Sequence, residues 1–545
     1  MSGSISTRKA STLAASIFLP PVGSRPPGPS DDTSLGFTLN SLWNNGGRIH
    51  APVRVDAGRA VWQERGAGAT PCDACPTPVG AWGTVKLVAA YTGPALRVRR
   101  VSDNTERDIG FIGGDLDVFS LDAFSGGATL YVPVVYDQTG NGNHLTQTVA
   151  ASQPRMNGEA TLDRRGKARV IQQMGALFGS RQVMSWFDIP TTVTLNSQAA
   201  SMFMVGTLPG CVQATPIVEM NPTTGTAYFQ WFYGTSASTF TLNTAGQTKS
   251  SSLKVAVNAT VHSVIAGAFS SGNQSATTSS IGSSINYAGG KLGAMTAGAA
   301  VTSNDTAELE WSAFAIYGRV VSETDRRSFC AAAYRRFEIT PQESDVVIYR
   351  GDSIHFGQRT TALYSPIRRL RNMLDLPAQY FNASRSGATL SGLLPVFAAE
   401  VAPLFRTGAR NNVFVSAAMT NDIVNTGGTA ASIYELLMQH FELARAACPT
   451  VKLVATTVID RGAFTAPQRQ LAIECNALIR ANAGRIKSHA VIDYAADPGV
   501  GLSEADAADF FPNSPFNDDG THPNDNGVQV MAAIAAPVIR SVWSF

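Results

Sequence analysis

Three residues far apart in the chain have the types needed for nucleophilic chemistry: Ser353, Asp519 and His522. Ser353 closes the segment Gly351-Asp352-Ser353, directly after the apolar run Asp345-Val346-Val347-Ile348-Tyr349. Asp519 and His522 lie in Asp519-Gly520-Thr521-His522-Pro523, just ahead of the C-terminal helical stretch. A serine hydroxyl is a poor nucleophile until an imidazole takes its proton, and a carboxylate fixes the tautomer of that imidazole. Asp519 and His522 are close enough in sequence for one turn to join them. The chemistry expected is therefore that of a serine hydrolase, with His522 as base and Asp519 as its orienting partner. His355 is near Ser353 in sequence but is expected to point away along the same turn. Asp352 and Asp422 are expected to be structural hydrogen-bonders.

Acyl transfer also needs donors for the oxyanion that develops in the transition state. Two further segments offer them: Asn382-Ala383-Ser384-Arg385-Ser386-Gly387-Ala388, and Asn421-Asp422 shortly after the strand-like run Val413–Ala417. Alone, Gly387 could be a turn glycine and Asn421 a helix cap. The four segments in this order resemble the SGNH, or GDSL-type, hydrolases, and the resemblance covers about residues 343 to 545. It implies that Ser353 attacks an ester carbonyl without metal or organic cofactor. It further implies an oxyanion hole made of the Ser353 and Gly387 amides and the Asn421 side chain. One departure stands out. The third block usually reads Gly-x-Asn-Asp, and here it is Met419-Thr420-Asn421-Asp422. The bulk of Met419 is expected to reshape the pocket beside the oxyanion site.

The elements that must position these residues follow from periodicity. From about 343, strand-like runs (Val346–Tyr349, Val413–Ala417, Lys452–Thr457, Ala490–Tyr494) alternate with helical stretches near 362–374, 431–447, 466–483 and 526–540. That alternation predicts βαβ units and a parallel sheet covered on both faces, with the site at the carboxyl ends of the strands. From about 81 to 338 the pattern is different: short alternating runs sit between Gly, Asn, Thr and Ser clusters, and helical periodicity waits until Thr324–Phe337. Many short strands predict an all-β sandwich. Residues 1–80, with Pro and Gly gathered at 20–29, read as an arm or attachment segment.

The middle region carries Ala90-Tyr91-Thr92-Gly93-Pro94-Ala95-Leu96-Arg97-Val98-Arg99-Arg100 and Tyr136-Asp137-Gln138-Thr139-Gly140-Asn141-Gly142-Asn143-His144-Leu145-Thr146-Gln147. These segments resemble the catalytic domain of α-L-arabinofuranosidase B, over roughly 71 to 337, and imply a concanavalin/LamG-like β-sandwich. A retaining glycosidase needs two carboxyl groups about 5–5.5 Å apart. The resemblance puts Gln230 where the nucleophilic Glu belongs. The Gly-rich stretch expected to hold the acid, Leu292-Gly293-Ala294-Met295-Thr296-Ala297-Gly298, contains none. Glycosidase activity is not expected, and both a glycan-binding module and a structural spacer remain open.

Bulk properties bound the partners. A chain of 545 residues suggests roughly three or four structural units. A net charge of +2 without a basic stripe argues against nucleic acid, and no apolar run reaches the roughly 18 residues of a membrane span. Arg8 and Lys9 precede the apolar stretch Ala10–Leu19, but Ser and Thr interrupt it and no small-x-small site follows, so no classical signal peptide is expected. Cys72 and Cys75 form one Cys-x-x-Cys without a second pair at zinc-finger spacing, which leaves a local disulfide or two thiols. The whole resembles a bacteriophage tailspike or tail-fibre esterase. That resemblance implies a homotrimer attached to the virion through its arm and acting on acetylated capsule or lipopolysaccharide. The alternatives are a receptor-binding adhesin with a vestigial site and a secreted GDSL lipase or esterase.

Overall fold

The computed structural model describes most of residues 69–156, 185–339, 345–357, 366–482, 490–501 and 515–544, together with Ile171–Gln173 and four strands before residue 65. Those four strands, Ile17–Phe18, Leu42–Asn45, Arg48–Asp56 and Arg59–Glu64, pair in that order into one sheet. The N-terminal region thus holds a hairpin, Arg48–Asp56 against Arg59–Glu64. The Pro- and Gly-rich segment at 20–29 lies outside the described residues.

The β-rich part follows. Eighteen strands between Gly80–Gly83 and Leu309–Tyr317 share one network of antiparallel pairings. Alternation sorts their side chains: Met202 and Met204 enter the main core with Trp82, Trp231 and Trp311, while Phe203 and Val205 face a second apolar layer. That second layer is closed by the helix Glu323–Phe337 through Phe329, Cys330, Ala333 and Phe337. Glu323 and Asp325 in its first turn and Arg335 and Arg336 in its last complement the helix dipole. Cys72 and Cys75 are buried beside this layer as free thiols, and the Tyr317 hydroxyl donates to the Cys75 carbonyl at 2.7 Å. Burial pushes the Cys72 thiol far above its ordinary range, so it stays protonated.

The C-terminal part is an α/β domain with five parallel strands: β1 (Asp345–Gly351), β2 (Ala378–Asn382), β3 (Asn412–Ala417), β4 (Lys452–Thr456) and β5 (Ala490–Ile492). They stand in the order β2-β1-β3-β4-β5. In β1, Val346 and Ile348 enter the layer covered by helices Leu390–Leu393, Phe397–Glu400, Ala430–Ala447 and Ala466–Ala481. Val347 and Tyr349 enter the opposite layer, covered by helices Pro366–Leu374 and Asp525–Val542. Both faces are buried, which is why these strands read as continuous apolar runs. Strand Ala378–Asn382 was not anticipated, nor were the one-turn helices. The expected strand to Tyr494 stops at Ile492, and residues 494–496 form a 3₁₀ turn. Strand order reverses between β1 and β3, and a crevice at such a switch point is where ligands bind in open α/β sheets. No helix among the described residues is long and apolar enough to cross a membrane.

Candidate active site

Ser353 begins a one-turn helix, Ser353–Phe356, straight off the carboxyl end of β1. Asp352 caps this helix, its Oδ1 accepting from the Ile354 amide at 3.0 Å. Asp352 is buried beneath this turn. Gly351 is needed for close approach: a Cβ there would lie 2.6 Å from the His355 Cβ. The His355 ring packs between Tyr349 and Tyr494, in the apolar layer.

His522 reaches Ser353 from the segment before the last helix. Its Nε2 lies 3.0 Å from Ser353 Oγ, and its Nδ1 lies 2.8 Å from Asp519 Oδ2. The other Asp519 oxygen accepts from the Thr521 and His522 amides at 2.9 and 2.8 Å. Burial would raise the Asp519 pKa, but the hydrogen bonds from the His522 ring and these amides outweigh it and hold the carboxylate well below its usual range. Asn517 fixes the start of the loop by accepting from the Asp519 and Gly520 amides. The arrangement is a hydroxyl, an imidazole and an ionised carboxylate in one hydrogen-bonded line.

The two donor segments converge on the same end of the sheet. Arg385 donates its amide to the Gly351 carbonyl at 2.9 Å, and the Ala388 amide closes a turn on the Arg385 carbonyl at 3.3 Å. Gly387 takes the third position of that turn with φ 72°, the conformation type II turns reserve for glycine. A Cβ on Gly387 would meet nothing within 4 Å, so this backbone faces open space. Asn421 follows β3 at the start of the helix Thr420–Asn425 and donates Nδ2 to the Ala388 carbonyl at 3.0 Å. Its neighbour Asp422 accepts from the Leu390 amide at 2.9 and 3.2 Å. Adjacent residues of one helix therefore clamp the segment that follows Gly387. Met419, which directly precedes this helix, is buried in the apolar layer with Ile348 and Ile423.

The family model described as GDSL-like Lipase/Acylhydrolase matches residues 347–535. The C-terminal part is a GDSL-like acylhydrolase domain. It includes Ser353, Gly387, Asn421, Asp519 and His522. The model described as Alpha-L-arabinofuranosidase B, catalytic, matches residues 65–209. A probable alpha-L-arabinofuranosidase B of Aspergillus fumigatus is 39% identical over 97 residues, covering 17% of this chain and 18% of that protein. An alpha-L-arabinofuranosidase of Hypocrea jecorina is 40% identical over 96 residues, covering 17% and 18%. The chain thus spans less than a fifth of the length of these curated relatives. Among solved structures, an arabinofuranosidase complexed with arabinofuranosyl-alpha-1,2-xylobiose aligns with 49% of this chain and 65% of its own at 14% identity and a TM-score of 0.35. A lipolytic protein of the G-D-S-L family from Veillonella parvula aligns with 36% and 99% at 20% identity and a TM-score of 0.30.

In the arabinofuranosidase-like domain, Gln230 lies beyond the residues matched to the family. It pairs with Glu219 on the neighbouring strand and donates to that carboxylate at 2.7 Å. Glu219 also accepts from the Thr296 amide and hydroxyl at 2.9 and 3.1 Å. Asn243 in turn donates to the Gln230 side-chain oxygen at 3.0 Å. Glu219 is a buried acid that the sequence reading did not single out; it lies inside the strand Thr215–Pro222. Part of the Gly-rich stretch, including Met295, Ala297 and Gly298, lies outside the described residues.

Proposed function

We propose that the chain is a carbohydrate O-acetyl esterase, with Ser353, His522 and Asp519 as its triad. The observation that carries this reading is the line from Ser353 Oγ to His522 Nε2 at 3.0 Å and from His522 Nδ1 to Asp519 at 2.8 Å. Ser353 Oγ attacks the carbonyl carbon of an acetyl ester while its proton passes to His522 Nε2. The carbonyl electron pair moves onto oxygen, where the Ser353 and Gly387 amides and the Asn421 carboxamide receive it. Collapse breaks the bond to the sugar oxygen, which leaves with the proton from His522. Water, deprotonated by His522, then attacks the acyl-enzyme and releases acetate and free Ser353.

The arabinofuranosidase-like domain in the same chain supports a carbohydrate rather than a lipid as the ester's carrier. We infer a concanavalin-like sandwich that presents an acetylated surface polysaccharide. A trimer attached to a virion through residues 1–80 belongs to the same proposal, and light scattering showing a monomer would count against it. Hydrolysis of p-nitrophenyl acetate, butyrate and octanoate by wild type and S353A tests the chemistry, and acetate release from acetylated capsule or lipopolysaccharide tests the carrier. Short-chain activity lost in S353A is expected. A preference for octanoate would point to a lipase, and host binding unchanged in S353A without any hydrolysis would point to an adhesin.

A further inference from the structure

Val346, Ile348 and Arg350 alternate along one face of β1, and the first two enter the apolar layer beneath helix Phe397–Glu400. Arg350 is the next residue on that face and is fully buried. Packing alone would be served by an aliphatic side chain there, since an ion pair of this kind costs desolvation energy that an apolar replacement avoids. Its guanidinium is committed to two partners. Nη1 donates to the Ala383 carbonyl at 2.5 Å and to Glu400 Oε2 at 2.7 Å. The other Glu400 oxygen, Oε1, holds Arg385 Nη2 at 2.7 Å. Arg350 Nε and Nη2 reach no acceptor among the described residues, a costly arrangement for a buried cation.

One carboxylate therefore binds two guanidiniums from different segments. Arg350 sits at the end of the strand that delivers Ser353, and Arg385 sits two residues before Gly387. Backbone bonds run alongside: the Ala383 amide donates to the Tyr349 carbonyl at 2.7 Å, and the Arg385 amide to the Gly351 carbonyl at 2.9 Å. Asn421 and Asp422 hold the far side of the same turn through Ala388 and Leu390.

We propose that Arg350, Glu400 and Arg385 are positioning residues of the esterase reaction. The shared Glu400 carboxylate fixes the distance between the nucleophile's strand and the Gly387 turn. This rests on the esterase reading of Ser353.

The test uses the full chain with R385M, R385K and E400Q. Three quantities are read for each: kcat and KM on p-nitrophenyl acetate, the rate at which a fluorophosphonate probe labels Ser353, and the thermal midpoint. Labelling forms the Ser353 Oγ–P bond and expels fluoride, and its P–O oxygen occupies the same oxyanion site. R385M should lower kcat about 10- to 100-fold with KM within about twofold, and labelling should slow in parallel. Because the Arg385 side chain is 34% exposed, the midpoint should barely move. R385K should recover most of the loss, and E400Q should lose more than R385M. Wild-type kcat and labelling in both R385M and E400Q would overturn the network. So would a loss that R385K fails to restore and that tracks the midpoint. A wild type that is labelled at Ser353 but hydrolyses no ester would sink the esterase reading alone, and labelling rates would still decide the network. A wild type that is neither labelled nor active would sink both.

Discussion

Glu310 and Arg368 form a buried ion pair across the two domains: Glu310 lies on the last strand of the β-rich part, Arg368 on the helix Pro366–Leu374 of the acylhydrolase domain. That helix packs on Asp525–Val542, which begins three residues after His522. Breaking a buried ion pair by removing one member typically costs about 3–5 kcal/mol. E310A should therefore lower stability by that order, read as a fall in the denaturant midpoint. Because the pair spans both domains, E310A should also separate their unfolding into two calorimetric transitions.

The relay through His522 sets the size of the next effect. D519N would keep the geometry but present the wrong hydrogen-bonding group to His522 Nδ1, and an analogous change in a serine-protease triad costs about 10⁴ in kcat. S353A should be at least as damaging, with both variants unfolding like wild type. Equal steady-state rates for wild type and D519N would remove Asp519 from the relay.

Loss of one oxyanion donor typically costs about 10²–10³ in rate. N421A should fall in that range with little change in KM. G387A tests the same hole differently. Its Cβ would meet no protein atom within 4 Å, so the stability cost should be only the roughly 1–2 kcal/mol of a left-handed φ. Its kcat should fall by more than that strain accounts for, since the methyl projects into open space beside the amide. Unfolding curves and initial rates of the two variants, measured together, separate strain from chemistry.

Asp422 links stability to pH. Burial lifts its pKa from the ordinary 3.8 to about 6, against the Leu390 amide bond that lowers it. The folded protein thus keeps a proton that the unfolded chain releases. Ionising the folded carboxylate is disfavoured, so stability from this group is highest below pH 3.8 and falls as pH rises through 6. The loss is on the order of 3 kcal/mol at 1.36 kcal/mol per pKa unit. D422N should remove this slope. The stability difference between D422N and wild type should shift in the variant's favour from pH 4 to pH 7.5, and a difference constant with pH would contradict the assignment.

The sequence by itself determined the type of each domain and the four blocks of the site. Strands buried on both faces must be continuous apolar runs, so β1, β3 and β4 and the three long helices were visible as periodicity. Ser353, Asn421 and His522 were visible because each follows or precedes such a run. Strand Ala378–Asn382 was not, because Ala-Gln-Tyr-Phe-Asn mixes polar and aromatic residues without a period long enough to read. The burial of Met419 with Ile348 and Ile423 was not legible either. A motif position specifies the backbone, while the direction of its side chain depends on how the following helix packs. Tertiary structure alone decided which polar residues meet. Glu219 meets Gln230 through strand register, Glu400 meets its two arginines through helix packing on the sheet, and Glu310 meets Arg368 through domain contact. Electrostatic partners of this kind leave no local pattern, because what selects them is the low dielectric of a core that exists only once the chain has folded.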